Sequence, residues 1–219
     1  MLRMIKGFVF DMDGVLLDTE SICDRTWKMA AKDFGISKDE AMRIIGLCRG
    51  TNKATSREII LRELGADFDV DSYMKCTSDY FKKIESENGV KKMPFAKECL
   101  EYLKSKGYKL ALASSTRKLV VERELDDAGL LNFFEVLTCG DMVSCSKPDP
   151  EIYMTSVEKL GLSANECVAV EDSLNGLKSA KRAGLYTIMV PDRVAPNEET
   201  ALVSDYVFKS LKDITENDW

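Results

Sequence analysis

The sequence contains no histidine in its 219 residues. That absence removes Ser-His-Asp and Cys-His catalysis, phosphohistidine chemistry, HExxH zinc hydrolysis and Cys2His2 zinc fingers. Proton transfer near neutral pH therefore falls to a carboxylate, Lys, Cys or Tyr. The seven cysteines, at 23, 48, 76, 99, 139, 145 and 167, are odd in number and include no CxxC pair. This excludes a closed disulfide framework, a zinc ribbon and a thioredoxin-type site, and predicts buried free thiols in a reducing cytoplasm. Long apolar runs are missing as well. The longest stretch without a charged residue is nine residues, Ala183 to Pro191, whereas a membrane helix needs about 20. Near the N-terminus, Asp11 interrupts the apolar run too early for a signal peptide. The 13 glycines form neither GxGxxG nor GxxxxGK[ST], so a dinucleotide or P-loop module is not expected. The formal charge of −6 and a pI near 5.0 argue against the basic stripe of a general nucleic-acid binder.

What is present describes a globular chain. It is 45% hydrophobic and 31% charged, and long enough for one large domain or a core with a smaller appendage. Short apolar runs bounded by loop residues occur at Gly7–Phe10, Lys109–Ser114, Val136–Thr138, Cys167–Val170 and Tyr186–Val190. Such runs fit parallel strands buried on both faces. Helical stripes lie between them: Phe95, Cys99, Tyr102 and Leu103; Val121, Leu125 and Ala128; Ile152, Ser156/Val157 and Leu160. Lys106-Gly107 and Ala183-Gly184 read as helix stops. The alternation predicts a doubly wound α/β sheet.

Residues 18–86 break the alternation. The stripes Cys23, Trp27, Ala30/Ala31, Phe34 and Tyr73, Cys76/Thr77, Tyr80, Ile84 predict an all-helical insert, punctuated by Gly35, Gly46, Gly50 and Gly65. The expected division is an α/β core from 1–17 and 87–219 and a helical insert from 18–86.

Acidic residues follow two of the strands. The first runs into Asp11-Met12-Asp13-Gly14 and the fourth into Glu171-Asp172-Ser173. A solvated turn explains the first pair alone, and an N-cap by Asp172 or Ser173 explains the second. In an open α/β sheet, however, both pairs fall beyond the carboxyl ends of the strands, where ligands bind. Four carboxylates there repel one another and call for a cation, and an all-oxygen donor set suits Mg²⁺. Ser114, Ser115 and Thr116 end the second strand at the start of a helix, a place suited to anion binding and, compatibly, to capping by Ser115 or Thr116. Lys147, in the stiff Lys147-Pro148-Asp149-Pro150 loop, supplies a second cation or is a solvated surface Lys. A phosphate dianion would need both cations to enter.

In this order, Asp11-Met12-Asp13-Gly14, Ser114, Lys147-Pro148 and Glu171-Asp172-Ser173 resemble the four motifs of the haloacid dehalogenase superfamily. SKPDPEIY (146–153) and EDSLNGLKSAKRAG (171–184) resemble the branch with a helical cap after the first strand. The resemblance covers nearly the whole chain. It implies a Rossmann-like parallel sheet with an inserted α-helical cap, and a phosphomonoester hydrolase of small phosphorylated metabolites, sugar phosphate or phosphoglycolate. By that resemblance Asp11 is the nucleophile and Asp13 the general acid and base. Ser114, Ser115 and Lys147 bind the phosphoryl group. Mg²⁺ is held by Asp11, the Asp13 carbonyl and Asp172, with Glu171 acting directly or through water. Arg49, in Gly46-Leu47-Cys48-Arg49-Gly50, resembles a substrate-binding cap residue, and a solvent-exposed turn Arg is the plain alternative. The acid at Asp13 points to phosphoryl transfer rather than dehalogenation. A β-phosphoglucomutase-type activity is the alternative, and a catalytically silent regulatory binder a further one. In the mutase a histidine on the first cap helix couples cap closure to the acid/base, and counting from Asp11 that position is Cys23. The expected state is a cytoplasmic monomer without nucleic-acid or membrane partners.

Overall fold

The computed structural model describes residues 5–49, 51, 53–217 and 219, so Gly50 lies outside the described residues. Six strands form one sheet: β1 (Gly7–Phe10), β2 (Lys109–Ser114), β3 (Val136–Cys139), β4 (Cys167–Glu171), β5 (Tyr186–Met189) and β6 (Tyr206–Val207). Helices α1 (Thr19–Asp33), α2 (Lys38–Cys48), α3 (Lys53–Leu64) and α4 (Val70–Asn88) follow β1. Helices α5 (Ala96–Ser105), α6 (Lys118–Asp127), α7 (Glu151–Leu160), α8 (Leu174–Arg182), α9 (Glu198–Val203) and α10 (Lys212–Thr215) are interleaved with the later strands. The chain divides into two compact units, Met1–Asp18 with Lys91–Trp219, and Thr19–Val90.

In the first unit the strand order is β3-β2-β1-β4-β5-β6 and every pairing is parallel. This is the doubly wound α/β arrangement read from the sequence. The order reverses between β1 and β4, so a crevice opens beyond their carboxyl ends. Register places Phe10 beside Leu112 on one side and Val170 on the other. The residues that follow these strands therefore emerge together.

Strand parity sorts the core into two faces. Val9, Ala111, Ala113 and Ala169 are small and pack with Ile152, Tyr153, Val157 and Leu160 of α7. The opposite parity carries Phe8 and Phe10, which meet Tyr108, Trp219 and Phe134 edge-on. Both Phe rings are fully buried, each contributing on the order of 1.5–3 kcal/mol relative to exposure. The small face leaves room between sheet and α7 for a large polar ring, a point that matters at the site.

The second unit is all-helical. Tyr73 stands at its centre, meeting Trp27, Phe34 and Phe68 at ring distances of 5.4, 5.3 and 5.6 Å. Ala30, Ile44, Cys48, Ile59, Ile60 and Val70 complete the core. Ser37 and Asp69 cap α2 and α4 by accepting from the Glu40 and Ser72 amides. Trp27 is thus part of the packing.

Three local expectations change. Phe95 does not join the α5 stripe: it has φ 64° and is exposed, and the buried stripe is Ala96, Cys99, Leu100 and Leu103. The Ala96 amide donates to the Met93 carbonyl, and Pro94 followed by a positive φ is the pattern of a type II turn. Gly46 lies inside α2 and interrupts nothing. Strand β6, only two residues long, carries too little pattern to be seen in advance. No described helix is long and apolar enough to cross a membrane.

Candidate active site

The loop after β1 folds back on itself. The Asp11 amide continues the sheet by donating to the Val170 carbonyl, and the Gly14 amide donates to the Leu17 carbonyl. Gly14 has φ +78°, and a Cβ there would lie 2.5 Å from Asp172 Oδ2. A side chain would suffer both the left-handed backbone and the clash. Glycine thus lets the first acidic loop close on the second. Ligand oxygens of Asp11, Glu171 and Asp172 come within 4.8 Å of one another, and all three residues are buried.

Lys147 enters this cluster from the loop before α7. Its ammonium donates to Asp11 Oδ1 at 2.6 Å, Glu171 Oε1 at 2.6 Å and the Ala113 carbonyl at 2.9 Å. Three donors meet three acceptors, so the buried cation is fully satisfied. It is not the solvated surface Lys of the plain reading. Burial pulls its pKa down, but the Asp11 and Glu171 charges outweigh that and hold it above the ordinary Lys value. The Asp11 pKa also rises from its usual range. Burial pushes it up to about 8, with Glu171 and Asp13 adding and Lys147 opposing. Burial is the largest cause of the Asp11 shift, and the neighbouring carboxylates add to it. Three buried carboxylates whose ligand oxygens lie within 4.8 Å of one another fit a hard divalent cation.

Glu171 is held at both oxygens. Oε1 accepts from Lys147 and from the Tyr153 hydroxyl at 2.7 Å, and Oε2 accepts from the Ser173 hydroxyl at 3.1 Å. Ser173 also caps α8 by accepting from the Gly176 amide. A Cβ on Gly176 would lie 1.9 Å from Glu171 Oε1, so this glycine makes the space the carboxylate occupies.

On the other side, Asp13 Oδ2 accepts from the Thr116 hydroxyl at 3.1 Å and from the Ser114 hydroxyl at 3.4 Å. The Thr116 amide donates to Ser114 Oγ. Capping of α6 by Ser115 or Thr116 is therefore corrected. The helix starts at Lys118, and its amide donates to Asp141 Oδ1 instead. A carboxylate from a neighbouring loop caps the helix, and the two hydroxyls turn toward Asp13. Ser115 is exposed, and its carbonyl lies where Gly140 alone can pass, a Cβ there being 2.1 Å away.

The structure thus gathers Asp11, Asp13, Ser114, Lys147, Glu171 and Asp172 at one edge of the sheet. Arg49 stands in the helical unit, where Glu20 pairs with its Nε at 3.1 Å and Asp24 with its Nη2. It is not the exposed turn Arg of the plain alternative, being only 17% exposed at its side chain. Thr116 enters the sequence reading only as a member of the Ser114-Ser115-Thr116 run, and Tyr153 does not enter it as a site residue. For Tyr153 a signal existed: a phenol on the buried face of a helix requires a polar partner.

The profile of haloacid dehalogenase-like hydrolases matches residues 8–190. The chain belongs to this family. Within it, the chain is 34% identical over 186 residues to the phosphorylated carbohydrates phosphatase of Thermotoga maritima, covering 84% of each chain. It is 31% identical over 212 residues to hexitol phosphatase A of Escherichia coli, covering 96% of this chain and 93% of the relative. Among solved structures, CbbY from Rhodobacter sphaeroides in complex with phosphate superposes with a TM-score of 0.75 at 28% identity, covering 96% of both chains. This chain is accordingly an enzyme of the haloacid dehalogenase-like family, with phosphatases among its relatives.

Proposed function

We propose that this enzyme is a Mg²⁺-dependent phosphomonoester hydrolase that works through an aspartyl-phosphate on Asp11. One observation carries the reading: Asp11 is buried against Lys147, with Glu171 and Asp172 beside it and Asp13 two residues on. Asp11 attacks phosphorus, and the bond to the leaving alkoxide breaks. Asp13, held by Thr116, gives its proton to that alkoxide. It then takes one from the water that attacks the phosphoaspartate, releasing phosphate and restoring Asp11. Lys147 neutralises charge on Asp11 and the transferring group. Ser114 and Ser115 would bind the phosphoryl oxygens. Asp11, the Asp13 carbonyl and Asp172 would hold Mg²⁺, with Glu171 directly or through water. Bound there, the metal supplies positive charge and orientation to the phosphoryl group.

The substrate is a small phosphorylated metabolite. The names of the two phosphatase relatives favour a phosphorylated sugar or polyol over phosphoglycolate. We assign Arg49 a substrate contact and the helical unit, with boundaries near 18–86, the role of a cap. The enzyme is taken to act as a monomer in the cytoplasm, which its seven free thiols suit. The test is a screen for phosphate release from sugar phosphates, polyol phosphates, phosphoglycolate and nucleoside monophosphates, with Mg²⁺ or with EDTA. Turnover that EDTA abolishes supports the reading, and undiminished turnover in EDTA overturns the metal assignment.

A further inference from the structure

Tyr153 is wholly buried, yet it touches both charged partners of the site. Its hydroxyl donates to Glu171 Oε1 at 2.7 Å, and the Lys147 ammonium lies 5.2 Å from its ring centroid. The same Oε1 accepts from Lys147. We infer that Tyr153 is a positioning residue: it fixes the Glu171 carboxylate so that Lys147 stays seated on Asp11. The inference rests on the proposed phosphatase reading.

The geometry supports this step by step. Lys147 uses three donors on three acceptors, and being buried it has no solvent to replace one. Its aim at Asp11 therefore depends on where Glu171 Oε1 sits. Glu171 is anchored at one oxygen by Tyr153 and at the other by Ser173. Two donors on two oxygens stop the carboxylate from turning about its axis. Gly176 leaves the space that this orientation needs. The small residues Ala111, Ala113 and Ala169 accommodate the Tyr153 ring against the sheet. The Tyr153 hydroxyl donates to Glu171 and not to Asp11, so it acts through Glu171 and Lys147.

The experiment is a double-mutant cycle with Tyr153→Phe and Glu171→Gln, read as kcat, KM and the unfolding midpoint of the metal-free protein. Phe keeps the ring and its contact with Lys147 and removes one hydroxyl. Tyr153→Phe is expected to lower kcat about tenfold with KM unchanged within about twofold, the split of a lost positioning contact. On the Glu171→Gln background it is expected to change kcat less than about twofold, because groups acting through one another are not additive. In EDTA it should lower the midpoint by about 2–4 °C alone and by clearly less beside Glu171→Gln. An active wild type whose kcat is unmoved by Tyr153→Phe, or moved equally on both backgrounds, overturns the inference and leaves the phosphatase reading standing. A wild type inactive on every phosphate ester overturns the phosphatase reading. The thermal cycle then decides separately, because additive midpoints overturn the hold of Tyr153 on Glu171.

Discussion

Lys147 Nζ lies 2.6 Å from Asp11 Oδ1 across 136 residues of chain. The pair forms because β1 and the loop before α7 deliver both groups to one edge of the sheet. Lys147→Ala removes the cation facing both Asp11 and Glu171. It should cost about 3–5 kcal/mol of stability in the metal-free protein, as expected when one member of a buried pair is lost. It should also lower kcat by about 10²–10³-fold. Denaturant unfolding and initial rates measure both. A variant with wild-type midpoint and wild-type rate would contradict the assigned role.

Two glycines make opposite predictions. Gly176→Ala places a methyl 1.9 Å from Glu171 Oε1, and that carboxylate has no free side to move to. The substitution should destabilise by about 1–3 kcal/mol and reduce turnover. Gly46 lies exposed inside α2 with nothing within 4 Å of a Cβ. Gly46→Ala should stabilise by about 0.5–1 kcal/mol and leave the rate unchanged. Thermal melts of the two variants should move in opposite directions, and a stabilised Gly176→Ala would remove the packing argument.

Arg49 is charge-balanced by Glu20 and Asp24. If it also contacts substrate, Arg49→Ala should raise KM by about tenfold with kcat within about threefold of wild type, the pattern of lost uniform binding. Unchanged KM for every accepted substrate would confine Arg49 to holding the helical unit together.

By the resemblance to the mutase branch, counting from Asp11, Cys23 takes the place of a histidine on the first cap helix. With β-glucose 1-phosphate, the enzyme should release glucose and phosphate without accumulating glucose 6-phosphate. A coupled glucose 6-phosphate dehydrogenase assay checks this, and sustained NADPH formation would revive the mutase alternative.

Much of the sheet could be read from sequence because its strands are buried on both faces. Gly7–Phe10 and the Leu110–Ala113 centre of Lys109–Ser114 are continuous apolar runs leading to the site, and the bounds of both strands are those observed. Each acidic pair alone has a plain structural explanation, and the acids could be read because both pairs fall at the carboxyl ends of neighbouring strands. Tyr206–Val207 could not, as two exposed residues on an edge carry no pattern. Phe95 is apolar and at helical spacing, yet it leaves the stripe because Pro94 sets a turn before the helix. Tyr153 stayed hidden for a different reason. Its spacing places it in the core stripe of α7, and only the three-dimensional register of α7 against β4 shows that its hydroxyl meets Glu171.

The central claim is that phosphate passes through a covalent bond to Asp11. Asp11→Asn should remove turnover while the protein remains folded by circular dichroism. The most direct measurement is borohydride trapping during turnover with p-nitrophenyl phosphate and Mg²⁺, followed by peptide mass spectrometry. Borohydride reduces an acyl phosphate to the alcohol, so the account predicts conversion of Asp11 to homoserine, dependent on substrate. Steady turnover with Asp11 unmodified, or the modification found only on another carboxylate, would contradict it.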